Sequence, residues 1–240
     1  MERVKVMTFN IYVQSYDRAD EILTYHNLEY CTYVVRKSEA EKYRSAGVEN
    51  VWAIEDKDID SCGKVTNYLL DNAPEDIICI IDDDIETFYH RTDALVKLES
   101  RESVTMEIER IAQIIADLDI GYACCPIDTS VKYYDRAFKF SGVTGGLKIF
   151  NRNILRNRVS LEYKYLSDID FELKELIEHR IILIANYFCN NAKVDTNPGG
   201  NNANKSLREI ETENEQMSLK WGKYYKKAGG GKAGRVNVKR

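Results

Sequence analysis

The chain has 240 residues, with 34 Lys and Arg against 39 Asp and Glu, a formal charge of −5. Apolar residues make up 44% and charged residues 30%, the balance of a globular domain, which excludes a collagen-like or wholly disordered chain. No stretch approaches the ~18 apolar residues of a membrane span, and no apolar core follows Met1–Lys5 as in a secretory signal, so a cytoplasmic protein without membrane contact is expected.

Ile11–Ser15 reads as a first strand and Ala19–His26 as a short helix. Thr32–Val35 is a second strand. Ser38–Ala46 is a helix opened by the capping box Ser38-x-x-Glu41 and closed by Gly47. Val51–Ile54 is a third strand, and Ser61–Asn72 a helix stopped at Pro74. Ile77–Ile81 is apolar without alternation, as in a central strand covered on both faces. This βαβαβαβ order predicts a doubly wound α/β sheet with a Rossmann-like, nucleotide-binding N-terminal half. In such sheets ligands sit beyond the carboxyl ends of the strands, at Ser15–Arg18, Asp56–Lys64 and Asp82–Glu86.

Glu102–Leu118 carries apolar residues at helical spacing. Tyr122–Ile127, Gly145–Phe150 and Ile181–Phe188 read as strands, with a helix at Ser167–His179. The loop Thr129–Gly142 is aromatic and basic, Asp195–Lys205 is rich in Gly and Asn, and Ser206–Tyr225 is a charged helix. Residues 1–217 form the expected domain, and residues 218–240 a basic helix end and a disordered tail. From Ser218 onward there are eight basic residues and no acidic one, which leaves 26 basic against 39 acidic in the body. Such asymmetry fits a polyanionic partner or a solubilising tail. The six cysteines form no CxxC pair, so they are expected to be reduced thiols.

The sharpest motif is Asp82-Asp83-Asp84, where an apolar strand runs straight into three carboxylates. Adjacent like charges need solvent or a cation, and an oxygen-rich cluster suits Mg²⁺ or Mn²⁺ with a substrate diphosphate; the alternative is an exposed acidic turn. Alternation on extended backbone would let Asp82 and Asp84 share a ligand while Asp83 points elsewhere. Ser167-Asp168-Ile169-Asp170 fits a capping box, and Asp168 at its first turn can also serve as a general base. Ser15 and Arg18 suit a phosphate or nucleotide, or a solvated turn. Lys64 and Asn67 share a helix face at the end of the third strand, beside the cleft or simply in solvent. Asn197–Asn202 with Lys205 can form a lid over a diphosphate or a loop without a ligand.

Ser15-x-x-Arg18, the strand ending in Asp82-Asp83-Asp84, and the later aspartate-rich helix start resemble GT-A glycosyltransferases. The chain is most similar to the TET-associated glycosyltransferases of bacteriophages and bacteria, over Ile11–Ala19, Ser61–Asn67, Ile78–Phe88, Gly142–Phe150, Leu166–Leu176 and Gly199-Gly200. The resemblance implies a GT-A-like mixed sheet and transfer of a sugar from a nucleotide-sugar, a UDP-sugar by preference. The acceptor it implies is a hydroxymethylated pyrimidine in DNA, such as 5-hydroxymethylcytosine. It further implies that Asp82 contacts the nucleotide or its ribose, that Asp84 binds Mn²⁺ or Mg²⁺, and that Asp168 meets the acceptor; Asp83 is a further candidate for the nucleotide, Asp82 for the metal, and Asp170 a second candidate for the base. Ser167 stands where many such enzymes have Glu. The C-terminal histidine ligand of the class is missing, and Asn190, Asn191 or water would take its place. A glycan- or lipid-directed transferase, a nucleotidyltransferase and a non-catalytic nucleic-acid-binding module are the rival readings.

Overall fold

The computed structural model describes residues 7–127, 129–142, 145–193, 206–228 and 232–238. The elements run β1 (Phe9–Gln14), β2 (Thr32–Arg36), α1 (Ala40–Ser45), β3 (Val51–Ile54), α2 (Cys62–Asn72), β4 (Ile77–Asp82), β5 (Ile85–Arg91), β6 (Leu95–Lys97) and α3 (Arg101–Asp117). They continue with β7 (Tyr122–Cys125), β8 (Phe138–Lys139), β9 (Leu147–Asn151), α4 (Ser167–Glu178), β10 (Leu183–Ala185), β11 (Phe188–Ala192), α5 (Leu207–Trp221), β12 (Tyr225–Lys226) and β13 (Arg235–Val236).

Eight strands form one mixed sheet in the order β3-β2-β1-β4-β9-β7-β10-β8. The β3-β2-β1-β4 part is parallel, and β9 runs antiparallel between β4 and β7. β4 is central and buried on both faces, as its unbroken apolar run requires. Ile77, Cys79 and Ile81 face a core closed by α1 and α3; Ile78 and Ile80 face a second core closed by α2 and α4.

Several local expectations change. Ala19–His26 holds only a single 3₁₀ turn, Thr24–Asn27. The Ser38 capping box does not form: the Ser38 hydroxyl donates to Asp56 instead (2.5 Å), and α1 starts two residues later without a side-chain cap. Gly47 does close that helix, at φ +94°. Ile181–Phe188 divides between two sheets, because β11 leaves the large sheet to pair with β5, whose other edge pairs with β6. That three-stranded sheet joins the main core through stacked Phe88 and Phe188, with ring centroids 5.4 Å apart. Five of the six cysteines are buried free thiols, and Cys62 is exposed.

The C-terminal segment is not a loose tail where it is described. β12 and β13 pair as a small hairpin, the Tyr225 hydroxyl accepts from Gly234 N (3.0 Å), and Asn214 of α5 donates to the Lys232 carbonyl (3.0 Å). The loop Asp195–Lys205, with Asn197, Gly199, Gly200 and Asn202, lies outside the described residues.

Candidate active site

The carboxyl ends of β1, β2 and β4 open into a cavity of about 470 Å³. Gln14, Ser15, Arg18, Arg36, Asp82, Asp83 and Asp84 are among its walls, so the Ser15–Arg18 and Asp82–Asp84 segments meet as the sheet topology requires. Asp17 takes a positive φ of 53°, and the turn brings Arg18 back over the acidic strand end. Arg18 Nη1 lies 2.6 Å from Asp83 Oδ1 and 3.2 Å from Asp84 Oδ2. Ser15 donates to Asp83 Oδ2 at 2.5 Å. Asp82 accepts from the Gln14 amide at 2.6 Å.

The alternation that would pair Asp82 with Asp84 stops where β4 stops. Asp83 and Asp84 belong to a turn, and both reach Arg18. Asp83 is buried, and both its oxygens are taken by Ser15 and Arg18, so it braces the cavity floor. Arg18 is correspondingly an internal counter-cation. Gly146 of the segment before β9 lies directly beneath Asp82: a Cβ there would stand 2.8 Å from Asp82 Oδ2. Only a residue without a side chain lets that backbone close under the carboxylate.

Electrostatics single out Asp84. Desolvation raises its carboxyl, the charges of Asp82 and Asp83 raise it further, and Arg18 offsets only part, so it is pushed up to about 6. Negative charge at the strand end therefore exceeds what the chain neutralises, which is the condition a divalent cation relieves. Among the described residues no three His, Cys, Asp or Glu side chains converge to hold an ion by themselves. Two carboxylates from this motif, completed by donor phosphates and water, fit Mg²⁺ or Mn²⁺, which keep such ligands. Of the two asparagines considered as substitutes, Asn191 donates to Glu86 (3.0 Å). Asn190 is fully buried, and its side-chain amide has no hydrogen-bond partner among the described residues.

Lys64 and Asn67 are turned to other tasks. Lys64 pairs with Asp60 at 2.7 Å, and Asn67 makes both amide bonds to the Val159 backbone (2.8 and 2.9 Å). Neither lines the cavity.

A second cavity, of about 580 Å³, adjoins the first and shares Ser61, Cys62 and Lys164 with it. Its far wall comes from α5, through Arg208, Glu209, Thr212 and Glu213. Glu213 accepts the backbone N–H groups of Lys164, Tyr165 and Leu166 (2.8, 3.0 and 3.0 Å), which fixes the entry into α4. The Ser167 capping box is therefore absent: Leu166 occupies the cap position without a side-chain bond, and Ser167 begins the helix and lines the second cavity. Asp168, part-buried, accepts from Ile169 N (2.8 Å) and lines neither cavity; it acts electrostatically on Cys62, which lines both. Cys62 keeps an exposed edge, yet packing around its sulfur, and then the charge of Asp82, pushes the thiol up to about 11.

Asp170 reaches neither cavity. It is fully buried, with Lys220 at 2.7 Å, Lys174 at 3.0 Å and the Trp221 indole N–H donating at 2.9 Å. A carboxylate held this way ties α4 to α5 and has no path to a substrate proton. Residues absent from the sequence-based site are Gln14, Lys164, and Arg36, which stacks its guanidinium 3.8 Å from the Tyr16 ring centroid in the cavity wall. Only an aromatic–basic pairing across two strand ends marks that last pair, and residue spacing does not reveal it.

This doubly wound mixed sheet is a GT-A-like fold, as solved structures show. A mannosyltransferase from Pyrobaculum calidifontis, in complex with GDP-Man and Mn²⁺, superposes with a TM-score of 0.59 at 14% identity. That match covers 89% of this chain but only 64% of the mannosyltransferase, so the chain spans just under two-thirds of that protein. Glucosyl-3-phosphoglycerate synthase from Mycobacterium tuberculosis, in complex with Mn²⁺, UDP-glucose and phosphoglyceric acid, gives 0.55 at 9% identity, covering 89% of this chain and 79% of the synthase. At these identities the likeness is one of fold. No family model and no curated protein matches the sequence. No described helix is long and apolar enough to cross a membrane.

Proposed function

We propose that the chain transfers a sugar from a nucleotide-sugar, a UDP-sugar by preference, to an acceptor hydroxyl in a divalent-cation-dependent reaction. The observation that carries this reading is the Asp82–Asp84 strand end in the cavity wall, where Asp83 and Asp84 share the single guanidinium of Arg18. Asp84 and Asp82 would hold Mn²⁺ or Mg²⁺, which would supply positive charge for the departing nucleoside diphosphate. The Tyr16–Arg36 stack offers a face for the nucleoside base. Asp168 takes the acceptor hydroxyl proton as that oxygen bonds to the anomeric carbon and the sugar–phosphate bond breaks, with inversion at the sugar.

The acceptor we infer is a hydroxymethylated pyrimidine in DNA, in line with the resemblance to TET-associated glycosyltransferases. Such a base must leave the stack to reach a cavity. Tyr133 and Phe140 are exposed on the basic 129–142 loop and offer stacking rings. A second reading, a saccharide acceptor, is favoured by the adjoining cavity, whose walls mix Lys164 and Arg208 with Glu162, Glu209 and Glu213. The test incubates the protein and Mn²⁺ with a panel of UDP- and GDP-sugars and 5-hydroxymethylcytosine DNA, followed by nucleoside mass spectrometry. A hexosylated nucleoside that vanishes with chelator or with Asp168→Asn is the expected result. Donor turnover only when oligosaccharides replace DNA selects the second reading, and no turnover of any donor refutes both.

A further inference from the structure

Lys148 lies on the middle strand of the site and takes part in nothing described so far. On β9 it pairs with Ile80 of β4 on one side and Cys124 of β7 on the other. Alternation assigns its side chain to the sheet face shared by Ile80, Cys124 and Phe150, the face covered by α2 and α4. Two residues beyond Ile80 on the same face of β4 is Asp82. Across the gap, Asp168 and Glu172 are one turn apart on α4, and Glu172 is completely buried. Register and helix packing thus put one lysine on the sheet face where β4 carries Asp82 and where α4 carries Asp168 and Glu172.

We propose that Lys148 is a positioning residue, the shared counter-cation that fixes α4, and with it Asp168, relative to the donor carboxylate Asp82. Asp82 comes from β4, Asp168 and Glu172 from α4 and the Cys62 thiol from α2, and each acts electrostatically on Lys148; the Tyr122 hydroxyl of β7 feels the same Asp168 and Glu172. Burial alone would lower its proton affinity, yet Asp168, Asp82 and Glu172 outweigh that effect and hold it above the ordinary lysine value. Without it, buried Glu172 loses its neutralising charge, and the first turn of α4 can move away from the strand end.

The role of Asp168 in transfer rests on the function proposed above, so the test separates the two. It uses the full chain as wild type, Lys148→Met, Lys148→Arg and the double variant Lys148→Met/Glu172→Met. Thermal melting reads the charge link without any turnover. Lys148→Met should lower Tm by about 5–10 °C, the scale of an uncompensated buried charge in a domain this size. The double variant should recover more than half of that loss, and Lys148→Arg should stay near wild type. Calorimetry with Mn²⁺ and UDP reads the donor side, where Kd should change less than about threefold. In the transfer assay Lys148→Met should lower kcat about tenfold or more at steady donor KM, and Lys148→Arg should restore much of it. No recovery in the double variant, or a UDP affinity that falls in step with kcat, overturns the role given to Lys148. Recovery of Tm without transfer from any nucleotide-sugar upholds the charge link and sinks the transferase reading instead.

Discussion

Asp84 combines three features that decide how the site responds to metal and pH. It sits at a strand end, beside two other carboxylates, and shares one arginine with Asp83. A carboxyl raised to about 6 binds its proton more tightly in the folded chain than in the unfolded one, where the value is about 3.9. Its contribution to metal-free stability is therefore full below the unfolded value and is lost as pH rises through about 6. Asp84→Asn removes that penalty and leaves Arg18 its bond to Asp83, so the metal-free variant should melt at or above wild type at pH 7.5. Mn²⁺ with UDP should raise the wild-type Tm at pH 7.5 and raise it much less at pH 5.5, where protons compete for Asp84. The variant should show neither response and no transfer. A Mn²⁺-induced Tm rise that survives Asp84→Asn would remove Asp84 from the ligand set.

Among the elements, helix α4 is held by groups whose roles the sequence disguises. Ser167 and Asp170 have capping-box spacing, yet Glu213 of α5 takes the backbone N–H groups at the helix entry, and Asp170 turns inward to Lys174, Lys220 and Trp221. Local spacing cannot distinguish these outcomes, because the competing partners lie more than 40 positions away in α5. The same limit hid the β5-β6-β11 sheet: β11 reads as a continuation of β10 until its partner β5 is known. What was legible depended on short-range physics, such as the βα alternation, the twice-covered β4 and the acidic strand end. Short-range reading also placed Asp82, Asp84, Ser15 and Arg18 at strand ends, and folding brings these four to one cavity. Lys64, Asn67 and Asp170 were not separated from ordinary helix residues, and Gln14 and Lys148 depend on strand register. If Asp170 ties α4 to α5, Asp170→Ala leaves two lysines facing an apolar contact. It should cost about 3 kcal/mol or more in urea unfolding and lower kcat through α4, with Mn²⁺–UDP affinity unchanged. A loss below ~1 kcal/mol would mean that α5 is held mainly by the apolar contacts of Leu173 and Met217.

For the molecule as a whole, charge is the quantity that bears on the acceptor. The acidic body opposes a polyanion, so contact with DNA needs a local basic surface. Folding narrows the choice: of the eight basic residues after Ser218, Lys220 is committed to Asp170 and Lys227 to Glu215. Lys223, Lys226, Lys232 and Arg235 remain exposed on or beside the β12–β13 hairpin. Deleting the segment would be a poor test of their role, because Val236 packs against the cores under α2 and α4 and Gly234 bonds Tyr225. Replacing Lys223, Lys226 and Arg235 by Gln keeps the hairpin backbone and removes three charges. Each phosphate contact on duplex DNA contributes about 0.9 to the slope of log K against log salt, so loss of three contacts should flatten that slope by about 2–3. The apparent KM for 5-hydroxymethylcytosine DNA should rise at moderate salt, while KM for the nucleotide-sugar should hold, since none of the three residues lines the donor cavity. Fluorescence anisotropy over a salt series supplies the slope. An unchanged slope and an unchanged DNA KM would make the hairpin a solubilising and packing element, and would move the acceptor assignment to the saccharide reading that the second cavity supports.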